Sequence, residues 1–325
     1  GIPPSDPWRG AGGSTRALTQ VGGGQEGWKM IEEDLIVRDF VHWGKEHQAV
    51  RAMLLTGSRA IPNAAVDAWS DYDLLLVVED IRPFTVDRGW LEGFGHVLVA
   101  YWDPIHPAPD FPGFEQVGNV VLFEDGLKID FSLWPVELLR QVPRAQTLPA
   151  DLDLGYVVLV DKDQLTAGLP APTYNAYIPT PPSNEVYQKV VEDFLSDVPY
   201  VAKCLRRDEL MPLKWCLDLD MKHAFLRQML DWRMECERDW SAPTGFLGRG
   251  LKTVLPPEIW SQVESTYVGA GIEENWEALF RTLDLFRRVA VEVAERLEYE
   301  YPHVMHRGVV AYAEQVRDAG RGDSG

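Results

Sequence analysis

Two aspartates separated by one residue, Asp71 and Asp73, stand at the start of an apolar stretch in this 325-residue chain. If that stretch is a strand, its side chains alternate between the two faces, and both carboxylates point the same way. Carboxylates held this close repel each other unless a cation lies between them, and Mg²⁺ binds carboxylate and phosphate oxygens together. An Asp-X-Asp step is also common on solvated loops, so the pair indicates a metal–phosphate site only with support from other residues.

That support comes from a third aspartate and a Gly-Ser step. Asp130 lies in another apolar stretch, on the face opposite Ile129 and Phe131, and aspartate is depleted in strands. Gly57 and Ser58 close a further short apolar run, where glycine lets the backbone approach a phosphate and the serine hydroxyl can donate to it. Together these residues predict a site for a metal-bound nucleoside triphosphate, with in-line displacement at the α-phosphorus.

The elements that would position these residues are short strands in the first half of the chain. Apolar runs predict strands at 52–55, 74–78, 97–102, 120–123, 127–134 and 154–160. A helical rhythm of apolar residues precedes them over 28–48. Glu124-Asp125-Gly126 between two of the runs predicts a hairpin. If strands 74–78 and 127–134 are neighbours, the three aspartates converge on one spot.

The second half of the chain has a helical pattern, which begins after a proline-rich segment. Helices are predicted over 186–206, 212–239 and 275–301. The predicted division is a tail over 1–27, an α+β domain over 28–168, a linker over 169–183, an all-helical domain over 184–313 and a polar tail over 314–325.

Composition narrows the classes of partner. The chain carries 31 basic and 50 acidic residues, a net charge of −19, which disfavours an extended nucleic-acid surface and favours a cationic small molecule. No apolar run reaches the length of a membrane span, so no membrane partner is expected. The three cysteines form no Cys-X-X-Cys pair, and a reducing cytoplasm is the expected location.

A family resemblance is carried by three groups of residues. The first is Leu55-Thr56-Gly57-Ser58-Arg59-Ala60, Pro62-Asn63 and Ser70-Asp71-Tyr72-Asp73, and the second is the segment 122–130. The third comprises Tyr200-Val201-Ala202-Lys203, Arg207-Asp208-Glu209-Leu210 and Lys214, continued by Trp260, Thr266-Tyr267 and Trp276. Together they resemble the aminoglycoside 6-adenylyltransferase (streptomycin adenylyltransferase) family of nucleotidyltransferases, from about Met30 to about Tyr301.

The resemblance implies a fold and a reaction. The fold is α+β, a polymerase-β-like nucleotidyltransferase domain with a mixed sheet, followed by an all-helical domain. The reaction transfers AMP from ATP, with Mg²⁺ as cofactor, to the 6-hydroxyl of streptomycin and releases pyrophosphate. The partners would be ATP and a cationic aminoglycoside antibiotic, with no nucleic acid. Two rivals stay open: a nucleotidyltransferase with another small-molecule or protein acceptor, and a non-catalytic nucleotide-binding module.

The resemblance also assigns roles in the first half of the chain. Asp71 and Asp73 would be metal ligands, and Gly57, Ser58 and Arg59 would contact the triphosphate. Asp130 would be the third carboxylate, either a metal ligand or the base that takes the proton from the attacking hydroxyl. The base is the preferred role, since a neighbouring metal lowers its pKa and keeps it ionised at neutral pH.

In the second half, Lys203 and Lys214 would grip the ATP phosphates, or else be two solvated lysines. They would share a face if one helix continues through both. Tyr267 would stack on the nucleotide or be a buried structural tyrosine. A polycationic acceptor needs carboxylates, for which the candidates are Asp193, Asp197, Asp208, Glu209 and Asp218. Glu192-Asp193-Phe194-Leu195 departs from the Asn-Glu-Phe-aromatic pattern of the family, so the identity of the aminoglycoside stays open.

Overall fold

The computed structural model describes residues 34–62, 64, 66–145, 147–241 and 245–319. The predicted tail over 1–27, the first residues of the predicted helix over 28–48, and Asn63 lie outside these ranges. The described part of the chain divides into two compact units, one ending at Ala176 and the other beginning at Tyr177.

The first unit is built on a mixed sheet. Its strands are β1 (Val50–Thr56), β2 (Tyr72–Val78), β3 (Val97–Trp102), β4 (His106–Pro107), β5 (Glu115–Phe123), β6 (Lys128–Pro135) and β7 (Val157–Asp161). Their order is β3-β5-β6-β2-β1-β7, with β4 paired to β5. β2 and β6 are parallel, whereas the other neighbours are antiparallel. The strands predicted at 74–78 and 127–134 are therefore direct neighbours.

Both faces of this sheet are covered, which explains why its central strands are nearly continuous apolar runs. Among the described residues of the unit, the α-helices are α1 (Leu35–Glu46), α2 (Arg82–Val86), α3 (Val136–Leu139) and α4 (Ala150–Asp153). On one face Phe40 of α1 packs edge-on against Tyr72, with 5.3 Å between ring centroids. On the other face Leu75 and Trp134 pack in a core with Leu138 of α3.

Part of the predicted linker is fastened to the first unit. The carboxylate of Asp153 accepts hydrogen bonds from the Thr173 N–H at 2.8 Å and the Thr173 hydroxyl at 2.7 Å. The Tyr174 N–H donates to the Asp153 carbonyl at 2.9 Å. Burial alone would raise the pKa of Asp153, but the hydrogen bonds from Thr173, together with those from the backbone of Asn175 and Ala176, outweigh it and lower the pKa. The chain is therefore held to this unit beyond residue 168, where the predicted domain ends.

The second unit is helical throughout. Its helices are α5 (Asn184–Arg206), α6 (Leu210–Lys214), α7 (Arg227–Glu237), α8 (Leu251–Val254), α9 (Pro257–Thr266), α10 (Ile272–Leu297) and α11 (His303–Ala319). α5 and α10 form the centre of its core, where the Phe194 and Phe286 rings stack with centroids 3.6 Å apart. The Tyr187 hydroxyl donates to the Ala290 carbonyl at 2.9 Å. Within the described ranges, no helix has both the length and the apolar character needed to cross a membrane.

One prediction about this unit is confirmed in outline and another is wrong. The helix predicted over 212–239 runs without a break from Leu210 to Glu237, as α6, a π-helical segment at Trp215–Leu226 and α7. The tail predicted from residue 314 is helical as far as Ala319, because α11 continues through it. There the Arg317 guanidinium lies 3.1 Å from Glu273 and stands over the Phe280 ring, so the polar residues of this segment belong to a packed helix.

Candidate active site

The three predicted aspartates lie together at one end of the paired strands β2 and β6. In the parallel register Asp73 is opposite Asp130, and Asp71 immediately precedes β2. Ile129 and Phe131 point to the opposite face, into the core beneath α1. The structure thus brings the three carboxylates together on one face, as the alternation of side chains predicts.

Two of these carboxylates, those of Asp73 and Asp130, border a cavity of about 180 Å³ in the first unit, whereas Asp71 is not among the residues that line it. Gly57, Ser132, Trp134 and a further acid, Asp151, contribute to the rest of the wall. A charged group bound there would meet three carboxylates.

Gly57 is required by the close approach of the Asp73 carboxylate. Its φ of +63° lies in the left-handed region, where glycine is strongly preferred. A Cβ atom at this position would also collide with the Asp73 carboxyl group. Ser58 follows in a 3₁₀ turn, Gly57–Ala60, and is partly buried. The Gly-Ser step therefore begins a turn packed directly against the acidic cluster.

The electrostatics of the cluster are dominated by crowding of like charges. Burial, together with repulsion from Asp130 and Asp71, raises the pKa of Asp73 to about 6. Lys128 opposes this shift. A carboxylate with this pKa gains from any cation that arrives beside it, because such a cation relieves the repulsion.

Lys128 is a charged member of the acidic cluster that the sequence prediction missed. Its ammonium Nζ lies 2.5 Å from Asp71 Oδ2 and 2.9 Å from Asp130 Oδ1. Burial would lower the pKa of Lys128, but its hydrogen bonds to the two carboxylates outweigh burial and raise it. The signal was available, since Lys128 and Asp130 are two residues apart on one strand and therefore share a face.

Arg59 fastens the segment that carries Asp71. Its guanidinium donates to the carbonyl oxygens of Asp71 at 3.1 Å and Ser70 at 2.8 Å. It also lies 3.8 Å from the centroid of the Tyr72 ring, whose hydroxyl donates to Asp34 at 2.8 Å. Arg59 is thus a brace for the loop, and its contact with the nucleotide stays a prediction.

The donor set fits a hard divalent cation. Asp71, Asp73 and Asp130 offer only carboxylate oxygens, which are the ligands Mg²⁺ prefers in proteins. Their mutual repulsion, visible in the raised pKa of Asp73, would be relieved by a bound cation. These three residues are therefore the ones that would hold it.

In the helical unit, Lys203 and Lys214 do not share one helix. α5 ends at Arg206 and α6 begins at Leu210, with Asp208 between them at a φ of +56°. Lys203 is exposed, whereas the Lys214 ammonium is held by Asp218 at 2.8 Å and the Val268 carbonyl at 3.1 Å. A shared face for the two lysines required one continuous helix, and the chain has two separate helices here.

Lys214 is part of a cluster with Asp218 and Lys222. Asp218 lies 2.8 Å from Lys214 and 2.7 Å from Lys222, whose side chain has no exposed area. Lys222 also donates to the Thr266 carbonyl at 2.6 Å and stands 4.8 Å from the centroid of the Tyr267 ring. Burial lowers the pKa of Lys222, and Asp218 opposes the shift. Tyr267 is 53% exposed, so a buried structural role does not describe it.

The predicted acceptor-binding acids have different surroundings. Asp193 is hydrogen-bonded to Lys189 at 2.5 Å, Glu209 lies 3.9 Å from Arg207, and Asp208 is exposed. Asp197 is grouped with Cys216 and Asp220, with ligand atoms within 4.8 Å of one another. Burial and repulsion from Asp220 raise the pKa of Asp197 to about 6.

The grouping of Asp197 with Cys216 and Asp220 is a poor metal site. Burial raises the pKa of the Cys216 thiol to about 12, with a further contribution from Asp197. A metal binds the thiolate rather than the thiol, so Cys216 would have to lose a tightly held proton. Asp220 is a second residue that the sequence prediction missed, because its proximity to Asp197 depends on the packing of α5 against the π-helical segment.

Comparisons with known proteins point to one family. A family model described as streptomycin adenylyltransferase matches residues 30–316. An aminoglycoside 6-adenylyltransferase from Campylobacter jejuni is 29% identical over 268 residues, which cover 81% of this chain and 88% of the relative. Another from Bacillus subtilis (strain 168) is 28% identical over 292 residues, which cover 88% and 98%.

One solved structure also resembles the chain. The crystal structure of an aminoglycoside 6-adenyltransferase from Bacillus subtilis shares 24% identity and covers 87% of this chain and 96% of that one, with a TM-score of 0.40. A TM-score of this size supports no conclusion, so the family match and the curated relatives carry the comparison.

Proposed function

We propose that this chain, which belongs to the streptomycin adenylyltransferase family, transfers AMP from Mg-ATP to the 6-hydroxyl of streptomycin. That the chain is an aminoglycoside adenylyltransferase follows from the family and from relatives with that name. The metal, the nucleotide and the particular aminoglycoside are the finer parts of the proposal. The observation that carries them is the position of Asp73 and Asp130 on a cavity beside Gly57, with Asp71 joined to Asp130 through Lys128.

Asp71, Asp73 and Asp130 would hold Mg²⁺ against the triphosphate. When bound, Mg²⁺ would neutralise phosphate charge and stabilise the attacking and leaving oxygens. The turn at Gly57 lets the backbone approach the phosphates, and the Ser58 hydroxyl is suited to donate to them. These residues bind and orient the reacting end of the nucleotide.

The size of the cavity limits what it receives. Pockets that enclose a whole drug-sized ligand have volumes of roughly 300–1,000 Å³. The cavity beside the aspartates measures about 180 Å³ and is therefore suited to phosphates rather than to a complete nucleotide. The α-phosphorus would then lie at the acidic wall.

In the proposed reaction, the oxygen of the acceptor hydroxyl attacks the α-phosphorus of ATP. A new phosphorus–oxygen bond forms, the bond between the α-phosphorus and the bridging oxygen breaks, and pyrophosphate leaves. Asp130 accepts the proton of the attacking hydroxyl. Its position opposite Asp73 in the register keeps it at the wall where the phosphorus would lie.

In the helical unit, the proposed contacts with the nucleotide are made by Lys214 and Tyr267, with Lys203 as an exposed supplementary cation. Among the acceptor-binding acids, Asp197 is the strongest candidate. Burial and repulsion from Asp220 raise its pKa, and an ammonium group of the aminoglycoside would relieve that repulsion. Asp193 and Glu209 each already face a basic side chain.

The test is AMP transfer measured with ATP, Mg²⁺ and a panel of aminoglycosides, with mass spectrometry of the product. We expect pyrophosphate release and a streptomycin product heavier by one AMP, both abolished by EDTA. A modified aminoglycoside other than streptomycin would keep the reaction and correct the acceptor. Pyrophosphate release that persists in EDTA would contradict the metal site.

A further inference from the structure

Lys128 places a fixed positive charge inside the acidic cluster. Its ammonium bridges Asp71 at 2.5 Å and Asp130 at 2.9 Å, and its side chain is 34% exposed. An ammonium has three donors and no acceptor, so it can hold two carboxylates at once. Lys128 is therefore built into the centre of the site rather than placed at its rim.

The position of Lys128 is dictated by the sheet. It is the first residue of β6, and the neighbouring strand β2 presents Asp73 opposite Asp130 in parallel register. Alternation along β6 directs Lys128 and Asp130 to the same face. Its side chain can therefore reach Asp71, which precedes β2, without any rearrangement of the backbone.

Three carboxylates with one ammonium still leave a surplus of negative charge. The consequence is visible at Asp73, which lies outside the two ion pairs of Lys128 and whose pKa is raised by burial and by the other two aspartates. The ammonium thus neutralises the outer pair of acids while the third remains crowded. A divalent cation would bring more charge to the same oxygens and would have to share Asp71 and Asp130 with Lys128.

We propose that Lys128 is a built-in counter-ion that holds Asp71 and Asp130 in place and competes with the divalent cation for them. The inference rests on the proposed function, because it assumes that the three aspartates bind that cation. Lys128 is thus a positioning residue: it weakens metal binding to the free enzyme and stabilises the cluster when no metal is bound.

The experiment measures metal binding without substrates, so that it does not depend on turnover. Mn²⁺ is titrated by calorimetry into the wild type and into Lys128→Met, Lys128→Gln and Lys128→Arg, in the absence of ATP and aminoglycoside. Thermal unfolding of each protein is followed in EDTA and in Mn²⁺. Two neutral replacements guard against the failure of either one to fold.

Removal of the charge should tighten Mn²⁺ binding by at least about tenfold. A single neighbouring charge changes the proton affinity of a carboxylate by about tenfold or more, and the affinity for a metal cation should respond in the same direction. The same variants should unfold at a lower temperature than the wild type in EDTA and gain more from Mn²⁺. Lys128→Arg keeps the charge and should behave like the wild type in both measurements.

Lys162→Met is the matched control. Lys162 follows β7 and donates to the His47 carbonyl at 2.8 Å. His47 lies near the start of β1, whereas Gly57, which packs against the acidic cluster, follows the end of β1. This variant removes the same charge from the same unit and should leave Mn²⁺ affinity unchanged. Equal tightening in Lys162→Met would mean that net charge, not Lys128, sets the affinity, and the proposal would fall.

The remaining outcomes separate the two proposals. Equal or weaker Mn²⁺ binding by folded Lys128→Met and Lys128→Gln, with clear binding by the wild type, would overturn the counter-ion role alone. No Mn²⁺ binding by any of the proteins would overturn the proposed metal site, and the role of Lys128 with it.

Discussion

The two units contain charge clusters of opposite composition. In the first, one lysine, Lys128, pairs with two aspartates, and a third, Asp73, lies beside them. In the second, one aspartate, Asp218, serves two lysines, Lys214 and Lys222. The first arrangement leaves a surplus of negative charge and suits a metal cation, whereas the second leaves a surplus of positive charge and suits the phosphates of a nucleotide.

The clusters also differ in which residue has its charged form disfavoured. In the first unit that residue is an acid, since burial and like charges raise the pKa of Asp73. In the second unit it is a base, since burial lowers the pKa of Lys222. An incoming ligand would relieve the first cluster directly, whereas the second is already held by its own carbonyl and carboxylate partners.

The largest expected effect is the loss of catalysis in Asp73→Asn. Metal assistance contributes several kcal/mol to such a reaction, and each ~1.4 kcal/mol is tenfold in rate, so kcat should fall by at least about a thousandfold. The protein should stay folded, because the substitution removes like-charge repulsion. Turnover is measured by pyrophosphate release and folding by circular dichroism.

Asp80→Asn is the control for this variant. Asp80 is an exposed acid just beyond the other end of β2, 3.6 Å from Arg82, and its replacement should leave turnover near the wild-type rate. Wild-type turnover in Asp73→Asn would show that the acidic cluster does not assist the reaction.

The second prediction concerns stability, and it tests the cluster of Asp218 with Lys214 and Lys222. Asp218→Asn leaves two lysines without their shared carboxylate, and the Lys222 side chain is completely buried. Breaking a buried ion pair from one side costs about 3 kcal/mol, which should appear as a lower midpoint of urea unfolding. Glu277→Gln, which breaks an exposed pair with Arg281, should change the midpoint little. Equal effects of the two variants would remove the distinction between the clusters.

The third prediction is a pH dependence of stability in EDTA. The pKa of Asp73 is about 6 in the fold against 3.8 for an ordinary aspartate. The folded state therefore binds this proton more tightly, so stability falls as the pH rises from about 4 to about 6, by about 2 kcal/mol after allowance for solvent screening. The loss is complete above pH 6.

Comparison with Asp73→Asn isolates this contribution, because asparagine does not titrate. The difference in unfolding free energy between the two proteins should grow between pH 4 and pH 6 and then stay constant. A difference that does not change with pH would mean that Asp73 is not crowded by its neighbours.

The smallest expected effect is on the use of ATP. Lys214→Ala removes one of the two lysines around Asp218, and we expect the KM for ATP to rise about tenfold, or ~1.4 kcal/mol, with a smaller change in the KM for the aminoglycoside. Lys252→Ala, which removes an exposed lysine of the same unit, should change neither constant. An unchanged KM for ATP in Lys214→Ala would leave that lysine with a purely structural role.

The acidic site was predictable from the sequence because it depends on local rules. Alternation along strands places Asp71, Asp73 and Asp130, and the close packing of Gly57 against Asp73 is consistent with the glycine at that turn. The hairpin signal at Glu124-Asp125-Gly126 likewise joins β5 to β6. The same alternation places Lys128 on the face of Asp130. A lysine at the start of a strand is usually solvated, however, and only the pairing of β6 with β2 brings it to Asp71.

The helical unit was less predictable because its details depend on packing. Pro212 lies within the first turn of α6, where its missing N–H costs little. It therefore does not mark the break between the helices that carry Lys203 and Lys214. The break lies at Arg207–Glu209, and the π-helical winding from Trp215 has no sequence signal that we can identify. Residues 314–319 have a polar composition, yet the contacts of Arg317 with Glu273 and Phe280 make them part of a helix.

The fastening of Thr173 to Asp153 bears on how the chain can be dissected into fragments. Asp153 is nearly buried, and Asp151 and Leu154, which are close to it in the sequence, both border the cavity beside the aspartates. A fragment cut at residue 168 would lose Thr173 and leave a buried carboxylate near that cavity without these hydrogen-bond donors, whereas one cut after Ala176 would keep them. The shortest piece that preserves the surroundings of the acidic cluster therefore ends beyond the last strand of the sheet, inside the segment that composition alone would discard as a spacer.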